Sequence, residues 1–160
     1  FEIRSDDYEI RKHSTIAEYQ SQLGKLLIDR LFKFTCVRNP WDRAISFYFS
    51  PHRGQVQWDR DSFEAFLKQI KPMSDFVGHL DAPEMGAKAF ESLDFIMRFE
   101  SLEKDFEVAC RAIGIPSEPL VKRNASVRSQ YTKYYDKELI ELVGDRFSDE
   151  IDYFGYNFDA

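Results

Sequence analysis

The sequence predicts an α/β domain built on a parallel sheet. Three observations carry that prediction. Leu31-Phe32-Lys33-Phe34-Thr35-Cys36-Val37 is a short apolar run of β-favouring residues, and Leu93 to Phe99 is a second. A helix-start signal follows each run: Asn39-Pro40 after the first, Ser101 after the second. Strand, helix, strand, helix is the order that lays parallel strands side by side under a layer of helices.

The elements follow along the chain. Thr15-Ile16-Ala17-Glu18 fits a capping box, so a helix is expected from there towards Gly24. Leu31 to Val37 reads as a buried strand. Asn39 as N-cap and Pro40 as first helical residue open a helix reaching Phe49, stopped by Pro51 and Gly54. Asp61-Ser62-Phe63-Glu64 opens an amphipathic helix that reaches Ile70, ahead of Pro72. Met73 to Ala87 holds Pro, Gly and Asp and reads as a loop with room for a short helix. Leu93 to Phe99 is the second strand. Ser101 caps a helix ending at Gly114, with Pro116 beyond it. Lys122 to Tyr135 is polar, basic and aromatic and reads as a loop. Asp136 caps a final helix with Leu139, Ile140, Val143 and Phe147 on one face. No repeat, low-complexity run or Gly/Ser linker divides the chain, so residues 1–160 read as a single domain.

Composition narrows the function classes. A chain of 160 residues with 15 Phe, 8 Tyr and 2 Trp can bury a real core, which argues against intrinsic disorder. The net charge of −6 argues against a general nucleic-acid coat but leaves room for one basic pocket for a small anion. No stretch approaches the roughly 20 apolar residues of a membrane helix. Cys36 and Cys110 are the only cysteines, which excludes a disulfide scaffold and an all-cysteine zinc site and leaves two buried free thiols as the expectation. His13, His52 and His79 are scattered, so no metal site is expected. Asp59, Asp61 and Glu64 crowd one region, and a helix start explains them.

The chemistry concentrates between Phe34 and Tyr48. In an open parallel sheet, ligands bind where strand carboxyl ends meet helix N-termini, which offer unpaired N–H groups and partial positive charge. Arg38 sits at that corner, and its guanidinium fork matches phosphate oxygens. Two readings stand: a seat for an anion, most simply phosphate, or an arginine that pairs with a carboxylate and ties strand to helix. Arg43, beside Asp42 on the same helix, reads as a solvated or locally paired charge. A second basic cluster, Lys122, Arg123, Arg128 and Lys133 with Tyr131, Tyr134 and Tyr135, is either a loop that closes over an anionic ligand or a solvated charge run.

Val37-Arg38-Asn39-Pro40-Trp41-Asp42-Arg43, followed by Ser46, resembles the 3′-phosphate-binding motif of sulfotransferases, the enzymes that use 3′-phosphoadenosine 5′-phosphosulfate (PAPS). The likeness is greatest to the carbohydrate sulfotransferase branch, Golgi and bacterial. It extends to His13-Ser14-Thr15 before a helix, to Arg98-Phe99-Glu100-Ser101-Leu102 after a strand and to Tyr153-Phe154-Gly155-Tyr156, and so covers most of the chain. The resemblance implies a P-loop-type three-layer α/β domain with a central parallel sheet. It implies that Arg38 and Ser46 bind the nucleotide 3′-phosphate, that Arg123 and Arg128 belong to a basic segment over the nucleotide, and that His13 is the general base. PAPS would be the co-substrate, without a metal, and the acceptor a hydroxyl of a carbohydrate or glycolipid. Spacing alone does not single out Ser46, which lies about 9 Å of helical rise from Pro40.

One part of that pattern is not found. Sulfotransferases cradle the 5′-phosphosulfate in a loop after their first strand, with Lys or Arg near Gly and Thr or Ser. Gly24-Lys25 is the only early Gly-Lys pair; it ends a helix and lacks a following Ser or Thr. The first strand and loop are therefore expected upstream of Phe1, where the sequence shows neither an initiating Met nor a signal-peptide pattern. The alternative is a non-catalytic module of the same fold that binds a nucleotide or a glycan. A phosphoryl-transfer enzyme is the third reading, disfavoured because the Arg-Asn-Pro corner supplies no Mg²⁺ ligands. The free-looking cysteines favour a reducing cytoplasm, with the Golgi lumen the alternative if an N-terminal anchor precedes the chain.

Overall fold

The computed structural model describes residues 9–11, 13–54, 56–80, 86–121 and 128–159. The predicted capping box opens helix α1 (Ile16–Leu23). Thr15 Oγ1 accepts from Glu18 N at 3.1 Å, and Glu18 Oε2 accepts from Thr15 N at 2.6 Å. The Thr15 amide on the Glu18 carboxylate holds that carboxyl below its ordinary range. Gly24 ends the helix, and one further turn, α2 (Lys25–Ile28), follows.

Strands β1 (Phe34–Val37) and β2 (Phe95–Arg98) pair in parallel, Phe34 opposite Phe95 and Val37 opposite Arg98. Among the described residues the sheet has these two strands. Both are shorter than expected. The chain is still turning out of α2 at Leu31, whose N–H donates to Ile28 O at 3.1 Å. Pairing then begins beside Lys33, whose carbonyl accepts from Asp94 N at 2.8 Å and Phe95 N at 3.2 Å. The buried-strand expectation for β1 is also corrected. Only Val37 is fully buried, and Phe34 keeps 44% exposure, because α6 (Leu102–Ile113) packs on β2.

Helix α3 (Pro40–Tyr48) starts as predicted, with Asn39 Oδ1 accepting from Trp41 N at 3.1 Å and Pro40 in the first turn. Helix α4 (Arg60–Leu67) is capped by Asp59, not by Asp61. Asp59 is extended and three residues before Ser62, so its Oδ1 accepts Ser62 N at 2.8 Å, whereas Asp61 is already inside the first turn. The loop from Met73 contains a short helix, α5 (Ser74–Val77), and a 3-10 turn spans Gly86–Ser92.

Helix α6 ends at Gly114 in the left-handed conformation, φ +76°, which explains glycine there. Ser101 precedes α6 without capping it, because its hydroxyl donates to Asp105 Oδ2 at 2.9 Å. In the expected basic loop, Tyr131–Tyr134 forms a 3-10 turn, while Lys122 and Arg123 lie outside the described residues. Asp136 caps α7 (Lys137–Arg146), its Oδ1 accepting Leu139 N at 2.8 Å. The final helix is not continuous. The chain breaks at Phe147, which is 1% exposed, and resumes as α8 (Ser148–Phe154). The break lets both the Phe147 ring and the Glu150 carboxylate turn inward.

Two apolar clusters hold these elements together. The larger joins Trp41, Ala44, Ile45 and Tyr48 of α3 to Phe63 and Leu67 of α4 and to Leu139 and Val143 of α7. Each large side chain so buried contributes about 1.5–3 kcal/mol of transfer free energy. The smaller joins Val37 at the end of β1 to Val77, Ala89 and Phe90, with Ile16 and Phe154 packed against it. The carboxyl end of β1 is thus held by Val37 in the smaller cluster.

Candidate anion-binding site

The turn from β1 into α3 is braced by residues from the end of β2 and from the C-terminal segment. Asn39 N donates to Glu100 Oε1 at 2.7 Å, and Tyr156 Oη donates to Glu100 Oε2 at 3.3 Å. Asn39 Nδ2 donates to the carbonyl of Asn157 at 2.9 Å, and Arg98 Nη2 to that of Phe154 at 2.8 Å. Burial, with the Glu100 charge second, pushes the Tyr156 phenol well above its ordinary range. The segments around Arg98-Phe99-Glu100 and Phe154-Gly155-Tyr156 therefore meet the Arg38-Asn39-Pro40 turn at one corner.

This bracing changes where an anion can sit. The sequence places it on the free N–H groups of the helix start. The structure occupies most of that start internally: Asn39 caps Trp41 N, Glu100 takes Asn39 N, and Pro40 has no N–H. A carboxylate already stands at the tip of α3. The positive charge lies instead along one side of the helix.

There, Arg38 lies over the ring of Phe99, its guanidinium carbon 4.0 Å from the centroid. Its Nε donates to Asp42 Oδ2 at 2.7 Å, and its Nη2 is 2.5 Å from the same oxygen. Its Nη1 donates to Ser46 Oγ at 3.0 Å. Arg128 reaches the other carboxylate oxygen, its Nη2 donating to Asp42 Oδ1 at 2.5 Å. Two guanidiniums around one carboxylate leave a net positive charge, half-buried, with a serine hydroxyl at its edge. Since Ser46 Oγ accepts from Arg38, its own proton is directed elsewhere. Arg38 keeps N–H groups on its outer edge beyond those given to Asp42 and Ser46. Both readings of Arg38 therefore meet in one arrangement: it pairs with a carboxylate, and that pairing orients it.

Of the residues singled out from the sequence, the structure brings Arg38, Ser46 and Arg128 together. Arg123 lies outside the described residues. His13 occupies an exposed turn just before α1, where Ser14 N donates to Arg11 O at 3.0 Å, and is not part of this cluster. Arg43 is corrected. It is neither solvated nor paired with Asp42; it is 3% exposed and its Nη1 donates to Glu150 Oε2 at 2.6 Å. The helical period turns Arg43 away from Asp42 and into the interior, over the ring of Phe147. Asp42, Phe99 and Glu100 were not singled out. The i, i+4 spacing of Arg38 and Asp42 was the readable signal for the first of them.

The Gly24-Lys25 pair is a junction between α1 and α2, with Lys25 Nζ 3.5 Å from Asp29 Oδ1, and not a strand-to-helix loop. Among the described residues no group of His, Cys, Asp and Glu is gathered to hold a metal ion. Among them, too, no helix is long and apolar enough to cross a membrane. Cys36 and Cys110 are free thiols; Cys110 is buried as expected and Cys36 is half-buried.

Comparison with known proteins places the chain. The family model described as the sulfotransferase family matches residues 4–157. The chain belongs to the sulfotransferase family. A relative from Archaeoglobus fulgidus is 31% identical over 116 residues, covering 71% of this sulfotransferase and 93% of the relative, which is described as an uncharacterized protein. No solved structure matches. Within the family match lie all of the segments that meet at the corner, from Arg38 to Tyr156. Sulfuryl transfer is the family's chemistry, so the chain is read as a transferase domain.

Proposed function

We propose that this sulfotransferase moves a sulfuryl group from 3′-phosphoadenosine 5′-phosphosulfate to a hydroxyl of a carbohydrate or glycolipid. The observation that carries the reading is the convergence of Arg38 Nη1 and Ser46 Oγ at 3.0 Å, with Arg128 held beside them through Asp42. A 3′-phosphate fits this donor set. The outer N–H edge of Arg38 and the Ser46 hydroxyl proton address two of its oxygens, and Arg128 supplies further charge. Each charge-assisted hydrogen bond there contributes about 1.5–3 kcal/mol.

His13 acts as the general base. The acceptor oxygen attacks sulfur as the bond between sulfur and the 5′-phosphate oxygen breaks, and a neutral imidazole takes the hydroxyl proton. The products are a sulfate ester and 3′,5′-bisphosphoadenosine. An exposed turn suits this role, because the base must meet an acceptor arriving from solvent. Arg123 is assigned with Arg128 to the nucleotide.

The test is a transfer assay with labelled co-substrate on a chain extended upstream, against mono- and oligosaccharide acceptors. The reading predicts transfer to a hydroxyl, abolished in His13→Ala while binding of 3′,5′-bisphosphoadenosine persists. A non-catalytic binding module is the outcome if the extended chain binds the nucleotide and transfers nothing.

A further inference from the structure

A cavity of about 180 Å³ lies between the start of α1, helix α5 and the 3-10 turn at Gly86, and its walls include Ala17, Ser74, Asp75, Gly78, His79 and Gly86. Its walls share an apolar cluster with the end of β1. Val37, the residue before Arg38, packs in one cluster with Val77 and Ala89, with Ile16 against it, and these flank the cavity walls. The cavity therefore opens near the carboxyl end of β1, where ligands of open parallel sheets bind. The helix that supplies Ala17 is the one that His13 precedes.

The lining specifies a kind of ligand. His79 Nε2 is buried and has no hydrogen-bond partner among the described residues. A buried polar nitrogen in that state keeps a hydrogen-bonding capacity that a ligand hydroxyl would satisfy. Ser74 and Asp75 add a hydroxyl and a carboxylate, and among the described residues no Lys or Arg lines the space. Ala17, Gly78 and Gly86 keep it open. Gly86, at φ +51°, brings its backbone so close to α8 that an added Cβ would meet Asp149 Oδ2 at 2.8 Å. A carboxylate in the wall and another behind it disfavour an anion. The volume is below the ~300–1,000 Å³ of pockets for drug-sized molecules, so it suits one small ring.

We propose that this cavity is the acceptor subsite and takes one neutral, hydroxyl-bearing sugar ring, with His79 Nε2 hydrogen-bonded to a ring hydroxyl. The assignment of the sugar as acceptor rests on the sulfotransfer reading; the assignment of a neutral sugar to the cavity does not.

The experiment titrates methyl β-D-glucopyranoside and methyl β-D-glucuronide into the protein. The readouts are saturation transfer and the imidazole nitrogen resonances of His79. His79→Leu removes the polar atom. Gly78→Ala narrows the space at a backbone position, φ −66°, that alanine adopts freely. 3′,5′-Bisphosphoadenosine is titrated in parallel. The glucoside is expected to shift the His79 signal and to bind about tenfold more tightly than the glucuronide. His79→Leu and Gly78→Ala are each expected to weaken the glucoside about tenfold while nucleotide affinity changes less than about twofold. Glucoside affinity unchanged in both variants, or preference for the glucuronide, overturns the proposal. So does nucleotide binding with no glucoside binding. Glucoside binding at His79 in a protein indifferent to the 3′-phosphate supports the cavity as a sugar site and overturns the nucleotide reading instead.

Discussion

Arg38 Nη1 donates to Ser46 Oγ at 3.0 Å across eight residues of sequence, joining the end of a strand to the second turn of the helix that follows. The contact needs the strand to end and the helix to begin with only Arg38 and Asn39 between them. Asn39 as N-cap and Pro40 in the first turn achieve that, and Glu100 locks the turn from outside. Ser46→Ala removes a donor to the 3′-phosphate and one support of Arg38. It is expected to weaken 3′,5′-bisphosphoadenosine about tenfold, and 5′-AMP less than about twofold, measured by calorimetry.

Asp42 holds both arginines, and its two roles predict opposite results. As mere counter-charge, it should oppose an incoming phosphate, and Asp42→Asn should tighten binding. As the group that orients Arg38, its loss should loosen the fork. An asparagine offers one acceptor and turns an N–H₂ towards the second guanidinium. The expected outcome is that the preference for 3′,5′-bisphosphoadenosine over 5′-AMP falls about tenfold in Asp42→Asn, read from paired titrations.

The Arg43–Glu150 pair is the interior ionic link of the fold. Glu150 is 2% exposed; one oxygen takes Arg43 Nη1, and the other takes the Met73 amide ahead of α5. Arg43 Nε and Nη2 have no partner among the described residues, so the pair is not fully compensated. Glu150→Ala is expected to cost about 3–5 kcal/mol in urea denaturation, because it leaves a buried unpaired guanidinium. Arg43→Met combined with Glu150→Leu is expected to recover most of that loss.

Cys36 reports on the same corner through pH. Burial, then the charges of Glu100 and Asp105, push its thiol from 9.0 up to about 11, against a smaller opposing effect of Arg38. A proton held more tightly in the folded state stabilises the fold at pH below 9.0, and that contribution is lost as pH rises towards 11. Alkylation of Cys36 at pH 8 is expected to run about a hundredfold slower than in the unfolded chain and to accelerate towards pH 11.

What was legible in the sequence was local. Thr15 with Glu18, Asn39 with Pro40, Asp136 and Gly114 each act on the backbone within a few residues, and each stands where the pattern placed it. Ser46 became visible through family resemblance, because its role depends on an arginine from outside its helix. Two caps were misread locally, at Asp61 and Ser101, and the other misreadings were long-range. Arg43 was misread because its partner lies 107 residues away, and Glu100 was missed because its amide partner lies 61 residues back. The break at Phe147 likewise serves tertiary burial and has no Pro or Gly at the junction itself. His79 looked like one more loop histidine until the fold enclosed its Nε2.

The central claim is that Arg38 and Ser46 seat a nucleotide 3′-phosphate. Calorimetric titration with 3′,5′-bisphosphoadenosine, against 5′-AMP and ATP, tests it most directly on a chain extended upstream of Phe1. The account predicts binding that requires the 3′-phosphate and weakens about a hundredfold in Arg38→Ala. Equal affinity for 5′-AMP and 3′,5′-bisphosphoadenosine, or binding indifferent to Arg38→Ala, would contradict it and leave Arg38 as a structural tie to Asp42.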